Sequence, residues 1–146
     1  MSPNTPANAQ DLITQLVQAA SDETRLKKFL LANLAEAAVC SLAPRYDLDK
    51  TQAIQRISEI FAMASGGSVT LLASRQDGSS ACGRLFLTKN KHDLKQTRTL
   101  NPRGEPMLEL SIWVDQDDKG QIEQLAMIGD MLTPSLAMGF QMVPAS

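Results

Sequence analysis

Aromatic and reactive side chains are scarce in this chain of 146 residues. Aromatics make up 4% of the sequence, with one Trp and one Tyr, so aliphatic residues and Met must fill the core. His92 is the only histidine, and Cys40 and Cys82 are the only cysteines. Without a CxxC pair or a second histidine, the chain offers too few ligands for a zinc site, and we expect no metal and no cofactor. Two distant cysteines in apolar segments favour free thiols and a cytoplasmic location.

Long hydrophobic runs are also missing. No apolar stretch approaches the roughly 20 residues that span a bilayer. The most apolar segment, Phe29 to Cys40, follows basic residues as in a signal sequence, but Asn33 and Glu36 interrupt it, which favours an amphipathic helix. We therefore expect a soluble protein with no membrane partner. The net charge of −2 gives no bulk attraction to nucleic acid either.

Helical spacing of apolar residues dominates the first 64 positions. Asn8 with Asp11 predicts the start of a short helix. Ser21, Asp22 and Glu23, a cap followed by two acids, predict the start of a second one. The second helix is expected to run for about 20 residues, because the 3.6-residue period continues to Leu42. A third helix is predicted from a capping box of Asp49 and Gln52. Its expected buried stripe is Ile54, Ile57, Phe61 and Ala64.

The period then changes to two residues. Strands are predicted at 69–75 and 81–88, joined by a turn whose Asp77-Gly78 pair suits a tight hairpin. A charged edge strand at 94–100 and a strong strand at 107–114 complete a four-stranded antiparallel meander. The outward face of this sheet is expected to carry Phe86, Glu109, Ser111 and Trp113.

The segment after this meander is interpreted as a last helix. Asp115, Asp117, Asp118 and Gly120 loosely match a calcium loop, but Lys119 and Ala126 replace two required ligands, so helix capping is the better account. Apolar residues from Ile122 to Leu132 would form the helix face, and a short strand could follow near 139–143. The predicted fold class is α+β: three N-terminal helices, the meander, then a C-terminal helix packed on the sheet. We expect a disordered tail at 1–8 and one domain over 9–146.

Positive charge is concentrated in the middle of the chain. Between positions 84 and 103 there are six cations and one acid, whereas positions 104–146 carry one cation and seven acids. Cations on neighbouring strands would form a basic region next to Trp113. This side chain is either an exposed aromatic anchor for a partner or, if a helix covers this face as well, part of the core. The predicted partner-binding residues are Arg84, Lys89, Lys91, Lys95, Arg98, Arg103 and Trp113.

No catalytic constellation is visible. His92 lies in a polar, cationic connection, where no carboxylate partner is expected to orient it for nucleophilic work. Gly66 and Gly67 follow a helix and precede a strand, the reverse of a phosphate-binding loop. The carboxylate pairs sit at capping positions. We therefore predict no catalytic residues and no enzyme activity.

These observations favour a non-enzymatic protein-interaction module that binds another protein through its basic sheet region. Such a module would be an adaptor, a secretion- or assembly-type chaperone, or an inhibitor, and it could also pair as a homodimer. The alternative is nucleic-acid binding, because three helices and a basic hairpin resemble, in order, a winged helix-turn-helix regulator. In that hypothesis the third helix would read bases through Thr51, Gln52, Gln55 and Arg56.

Overall fold

The structure, a computed structural model, describes residues 7–42, 45–62, 68–88 and 107–129. Within these ranges the chain forms three helices and six strands. In chain order they are α1 Ala9–Ala19, α2 Glu23–Asn33, β1 Leu34–Leu42, β2 Arg45–Leu48, α3 Lys50–Ala62, β3 Ser68–Asp77, β4 Ser80–Thr88, β5 Met107–Gln116 and β6 Ile122–Gly129.

Each helix begins at a polar cap, at the predicted residue for α1 and α3 and within the predicted run 21–23 for α2. In α1 the Asn8 side chain accepts from the backbone N–H of Asp11 at 2.8 Å. The Asp11 carboxylate in turn accepts from the backbone N–H of Asn8. The Asp22 carboxylate accepts from two backbone N–H groups at the start of α2. Asp49 and Gln52 form the expected capping box before α3, at 2.8 and 3.1 Å. These contacts satisfy N–H groups that have no partner inside the helix.

The six strands form one mixed sheet in the order β2-β1-β6-β5-β4-β3. All neighbours are antiparallel except β1 and β6, which run parallel. Helix α1 packs on β3, β4 and β5, and α3 packs on β1 and β2, so both cover the same side, here called the inner face. Buried side chains fill the space between helices and sheet, among them Ile13, Leu16, Ile57, Leu85, Ile112 and Leu125.

The prediction of a 20-residue second helix is wrong. Helix α2 stops at Asn33, whose side-chain amide donates to the Phe29 carbonyl at 2.9 Å, and Leu34 already has extended backbone angles. The segment 34–42 instead forms β1, which buries Leu34, Ala38, Cys40 and Leu42. Their spacing also satisfies a helical period, so local pattern could not separate the two structures. Pairing with β6 along a backbone hydrogen-bond ladder decides in favour of the strand.

The predicted C-terminal helix is also wrong over the described residues. The Asp117 carboxylate accepts from the backbone N–H groups of Lys119 and Gln121, both at 2.9 Å, and Gly120 has a φ of 84°. Asp117 therefore closes a turn between β5 and β6 rather than capping a helix. The four-stranded meander with a terminal helix is thereby replaced by a six-stranded mixed sheet. The strands expected at 94–100 and 139–143 lie outside the described residues.

The β3–β4 hairpin and β5 are confirmed. Gly78 has a φ of 60° in the tight turn, as the Asp-Gly pair predicted. Leu85, Leu87, Leu110, Ile112 and Val114 all point to the inner face and are buried. Among the described helices, none has the length and apolarity needed to cross a membrane.

Candidate functional site

Two of the predicted partner-binding residues lie together on the outer face of the sheet, opposite the helices. The Arg84 guanidinium on β4 forms an ion pair with the Glu109 carboxylate on β5. Trp113 on β5 is 54% exposed. Both side chains border a hollow of about 200 Å³, here called the outer-face hollow, lined in part by Ala73, Arg75, Cys82, Arg84, Ser111 and Trp113. The other five predicted residues, Lys89, Lys91, Lys95, Arg98 and Arg103, lie outside the described residues, as does His92.

Helix side chains pack closely on the inner face of the sheet where α1 and α3 contact it. Leu12 and Ile13 of α1 and Ile57 of α3 pack against the sheet with at most 2% of their surface exposed. Interiors packed in this way exclude a ligand without displacement of side chains. Cys40 on β1 is enclosed in this core, and burial raises the pKa of its thiol to about 11. A thiol in this state is a poor nucleophile at neutral pH.

A larger cavity lies on the helical side, between α2, β2 and α3. Its volume is about 620 Å³, inside the range of small-molecule pockets. We call it the helix-side cavity. Three apolar side chains, Leu31, Leu48 and Ile54, line it together with polar and charged ones. The latter are Lys27, Arg45, Thr51, Gln52, Gln55, Arg56 and Glu59.

Glu59 is the only carboxylate among the described lining residues, and it is held in its ionised form. The Gln55 amide donates to Glu59 Oε1 at 3.2 Å, and Arg56 Nη1 lies 3.4 Å from Oε2. These contacts, with a further attraction to Arg45, lower the pKa of Glu59 below its ordinary value of 4.5. Favourable hydrogen bonds and nearby opposite charge both stabilise the charged form. The cavity therefore presents a carboxylate base at neutral pH.

The Arg56 guanidinium has one N–H donor that forms no hydrogen bond. Its Nε is buried and has no hydrogen-bond partner. A buried N–H of a charged group left without an acceptor is costly, so structures rarely retain one unless a ligand or water supplies the acceptor. Arg45 and Lys27 add positive charge along the same cavity, although Lys27 is already paired with Glu23 at 2.9 Å. The arrangement is suited to an oxygen atom that carries negative charge.

Sequence reasoning found part of this site for a different reason. Thr51, Gln52, Gln55 and Arg56 were considered as base readers on α3, and all four line the helix-side cavity. The contributions of α2 and β2 were missed, because Leu31 and Arg45 become neighbours of α3 only through the tertiary fold. No motif spacing connects them. The described part of the chain holds no cluster of three or more His, Cys, Asp or Glu side chains suited to a metal ion.

Comparisons with known proteins identify the fold. No protein-family model and no curated protein matches the sequence. Among solved structures, wild-type IdmH of Streptomyces antibioticus, a candidate polyketide cyclase, has a TM-score of 0.69 at 17% identity, covering 92% of this chain and 100% of that one. A candidate SnoaL-like polyketide cyclase of Jannaschia sp. CCS1 has a TM-score of 0.66 at 12% identity, covering 97% and 100%. A candidate SnoaL-like isomerase of Agrobacterium tumefaciens has a TM-score of 0.61 at 13% identity, covering 84% and 97%.

The chain thus has the SnoaL-like fold, and this corrects the functional prediction. The interaction-module hypothesis, with its adaptor and chaperone roles, assumed a sheet built mainly to display a basic surface. Structural neighbours of this fold are instead named as cyclases and an isomerase, which contradicts that hypothesis and the expectation of no enzyme activity. The fold contradicts the nucleic-acid alternative as well, because α3 packs on the sheet beside β1 and is not part of a winged helix-turn-helix.

Proposed function

We propose that this protein is an enzyme of the isomerase or cyclase type that moves a proton on a small carbonyl compound bound in the helix-side cavity. The fold supports the reaction class only by analogy with its structural neighbours. The observation that carries the proposal is local: the ionised Glu59 carboxylate lies beside Arg56, whose Nε has no partner.

The cavity provides the two groups that such a reaction requires, a base and a stabiliser of negative charge on oxygen. Glu59 accepts the proton from the carbon next to a substrate carbonyl, and the electron pair of the broken C–H bond moves to the carbonyl oxygen as an enolate. The guanidinium groups of Arg56 and Arg45 stabilise the negative charge that develops on that oxygen. Return of the same proton from Glu59 to a different carbon gives the isomer, so no further reactant is consumed.

The apolar lining determines which substrates fit. Leu31, Leu48 and Ile54 contact a hydrocarbon portion, while Gln52 and Thr51 are available for its polar substituents. A substrate with an acidic or enolisable oxygen at one end and an apolar remainder matches this division. We propose a cytoplasmic location for the reaction, supported by Cys40 and Cys82, both of which are free thiols.

Exchange of carbon-bound protons with solvent tests the proposal directly. A panel of small β-keto carboxylates and 1,3-diketones is incubated with the protein in D2O, and loss of the α-proton signal is followed by ¹H NMR. We expect exchange above the heat-inactivated background with at least one compound, and a loss of 100-fold or more in Glu59→Gln, on the order of the contribution of a general base. The matched control is Glu123→Gln, which alters an exposed carboxylate on β6 outside the cavity.

The pH profile separates a catalytic from a structural role. Because the pKa of Glu59 lies below 4.5, the acid limb of the wild-type exchange rate should fall below that pH. Arg56→Gln removes a cause of the lowered pKa, so its acid limb should move to higher pH. Exchange by Glu59→Gln at the wild-type rate, or no exchange with any compound of the panel, would contradict the proposal.

A further inference from the structure

Arg45 gives the helix-side cavity a positive charge that no described carboxylate pairs with. Lys27 and Arg56, which also line the cavity, are already paired with Glu23 and Glu59. The ion pairs of the described residues do not include Arg45, whose attraction to Glu59 acts over a longer distance. In a chain whose net charge is −2, this concentration of cations favours an anionic ligand at the cavity.

The two arginines of the cavity offer different sets of donors. Arg56 Nη1 lies 3.4 Å from Glu59 Oε2, and the Arg56 Nε is buried without an acceptor among the described residues. One enclosed N–H suits one oxygen atom, such as that of a keto group. Arg45 is exposed, and its side chain forms no hydrogen bond within the described residues. Its planar fork of N–H groups matches both oxygens of a carboxylate at once.

An apolar surface lies beside these charges. Leu31, Leu48 and Ile54 line the same cavity, and Leu31 leaves 63% of its surface exposed. A small inorganic anion would leave these side chains in contact with water. An anion that carries a hydrocarbon chain covers them, and the burial of that apolar surface adds to its affinity. These contacts therefore favour an organic anion with an apolar chain.

The cavity is long enough to hold two functional groups and a chain. Thr51, Gln55 and Glu59 line it at intervals of four residues along α3. At about 1.5 Å per residue, the helix advances about 12 Å from the first of these residues to the last. The carboxylate bound by Arg45 and the keto group beside Glu59 can therefore belong to one molecule.

We propose that the substrate of the helix-side cavity is a keto carboxylate with an apolar chain, and that Arg45 selects it. Arg45 binds the carboxylate through two N–H groups, while Arg56 Nε donates to the keto oxygen on which the enolate charge develops. The proton passes from the carbon beside the keto group to Glu59 and back to a second carbon, and the carboxylate is retained in the product. This inference rests on the proposed function, because it names the substrate class of the same site.

Binding of unreactive carboxylates tests this selectivity without turnover. Isothermal titration calorimetry measures the dissociation constants of hydrocinnamate and hydrocinnamamide, which have the same carbon skeleton and differ in charge. We expect the carboxylate to bind at least about 10-fold more tightly, the contribution of a hydrogen bond between charged groups. Acetate should bind at least about 10-fold more weakly than hydrocinnamate, because it has no apolar chain to cover Leu31.

Variants of Arg45 identify the residue responsible. Arg45→Gln should raise the dissociation constant of hydrocinnamate about 10-fold and leave that of hydrocinnamamide unchanged, because only the charged interaction is lost. Arg45→Lys keeps the charge without the fork and should restore part of the affinity. The control is Arg25→Gln, which makes the same change of charge at an exposed position of α2 outside the cavity; it should bind hydrocinnamate as the wild type does.

A variant of the base separates this inference from the reaction. Glu59→Gln should bind hydrocinnamate at least as tightly as the wild type, because it removes a negative charge from the cavity. Selective binding of hydrocinnamate by a protein that exchanges no carbon-bound proton would contradict the proposed reaction and leave the carboxylate site in place. Equal dissociation constants for the acid and the amide, or wild-type binding of hydrocinnamate by Arg45→Gln, would overturn the inference without affecting the proposed reaction.

Discussion

Alkaline pH should destabilise the folded protein through Cys40. Burial raises the pKa of this thiol from 9.0 to about 11, although a backbone hydrogen bond with Leu125 lowers it in part. Between these two pH values the unfolded chain has lost the thiol proton and the folded chain has not. Stability contributed by the protonated thiol is therefore complete below pH 9 and declines as the pH rises toward 11.

The magnitude follows from the size of the shift. Each pH unit over which the two states differ by one proton changes the free energy of unfolding by about 1.4 kcal/mol. A shift from 9.0 to about 11 therefore corresponds to a loss of at most about 3 kcal/mol. For a domain whose total stability is about 5–15 kcal/mol, this loss is easily measured.

Urea denaturation at pH 8 and pH 11 provides the assay, with Cys40→Ala as the reference. Every other side chain is shared by the two proteins, so its response to pH cancels in the comparison. At pH 11 the folded thiol is itself about half ionised, so we expect the wild type to lose about 2 kcal/mol more than the variant between pH 8 and pH 11. Equal losses in the two proteins would show that the thiol does not sit in the enclosed position on β1 described above.

Further predictions concern local features. Asp22→Ala should lower the free energy of unfolding by about 1 kcal/mol because α2 loses its cap, whereas Asp22→Asn should remain near wild type; urea denaturation measures both. Gly129→Ala should cost about 1–3 kcal/mol, since a Cβ there would lie 2.6 Å from the Glu109 carbonyl oxygen. Gly78→Ala meets no atom within 4 Å and should cost only the strain of its positive φ, about 1–2 kcal/mol. Thermal denaturation in which both glycine variants match the wild type would refute this reasoning.

Local signals in the sequence predicted local structure correctly. Sequence predicted the caps at Asn8 and Asp49, the helix start within 21–23 and the turn at Gly78, because each depends on residues within three or four positions. The alternation in β5 was clear because one side of that strand is buried and the other is exposed.

The errors arose where distant parts of the chain decide the structure. Ala- and Leu-rich segment 34–42 and segment 122–129 both have apolar spacings compatible with helix and strand. The two segments form strands because they pair with each other, and local composition does not reveal this pairing. The candidate site was missed for the same reason, since Arg45 and Leu31 approach Glu59 only after β2 and α2 have packed around α3.

The parallel contact between β1 and β6 also bears on how the molecule is made. Cys40 aligns with Leu125, so the paired residues are separated by 125 − 40 = 85 positions. During synthesis on the ribosome, β1 and β2 cannot join the sheet until β6 has been synthesised. Contacts of such long sequence separation form late and slowly, and the waiting apolar segment is open to association with other chains. Nascent chains halted before Ile122 should therefore depend on chaperones that shield this segment until β6 arrives.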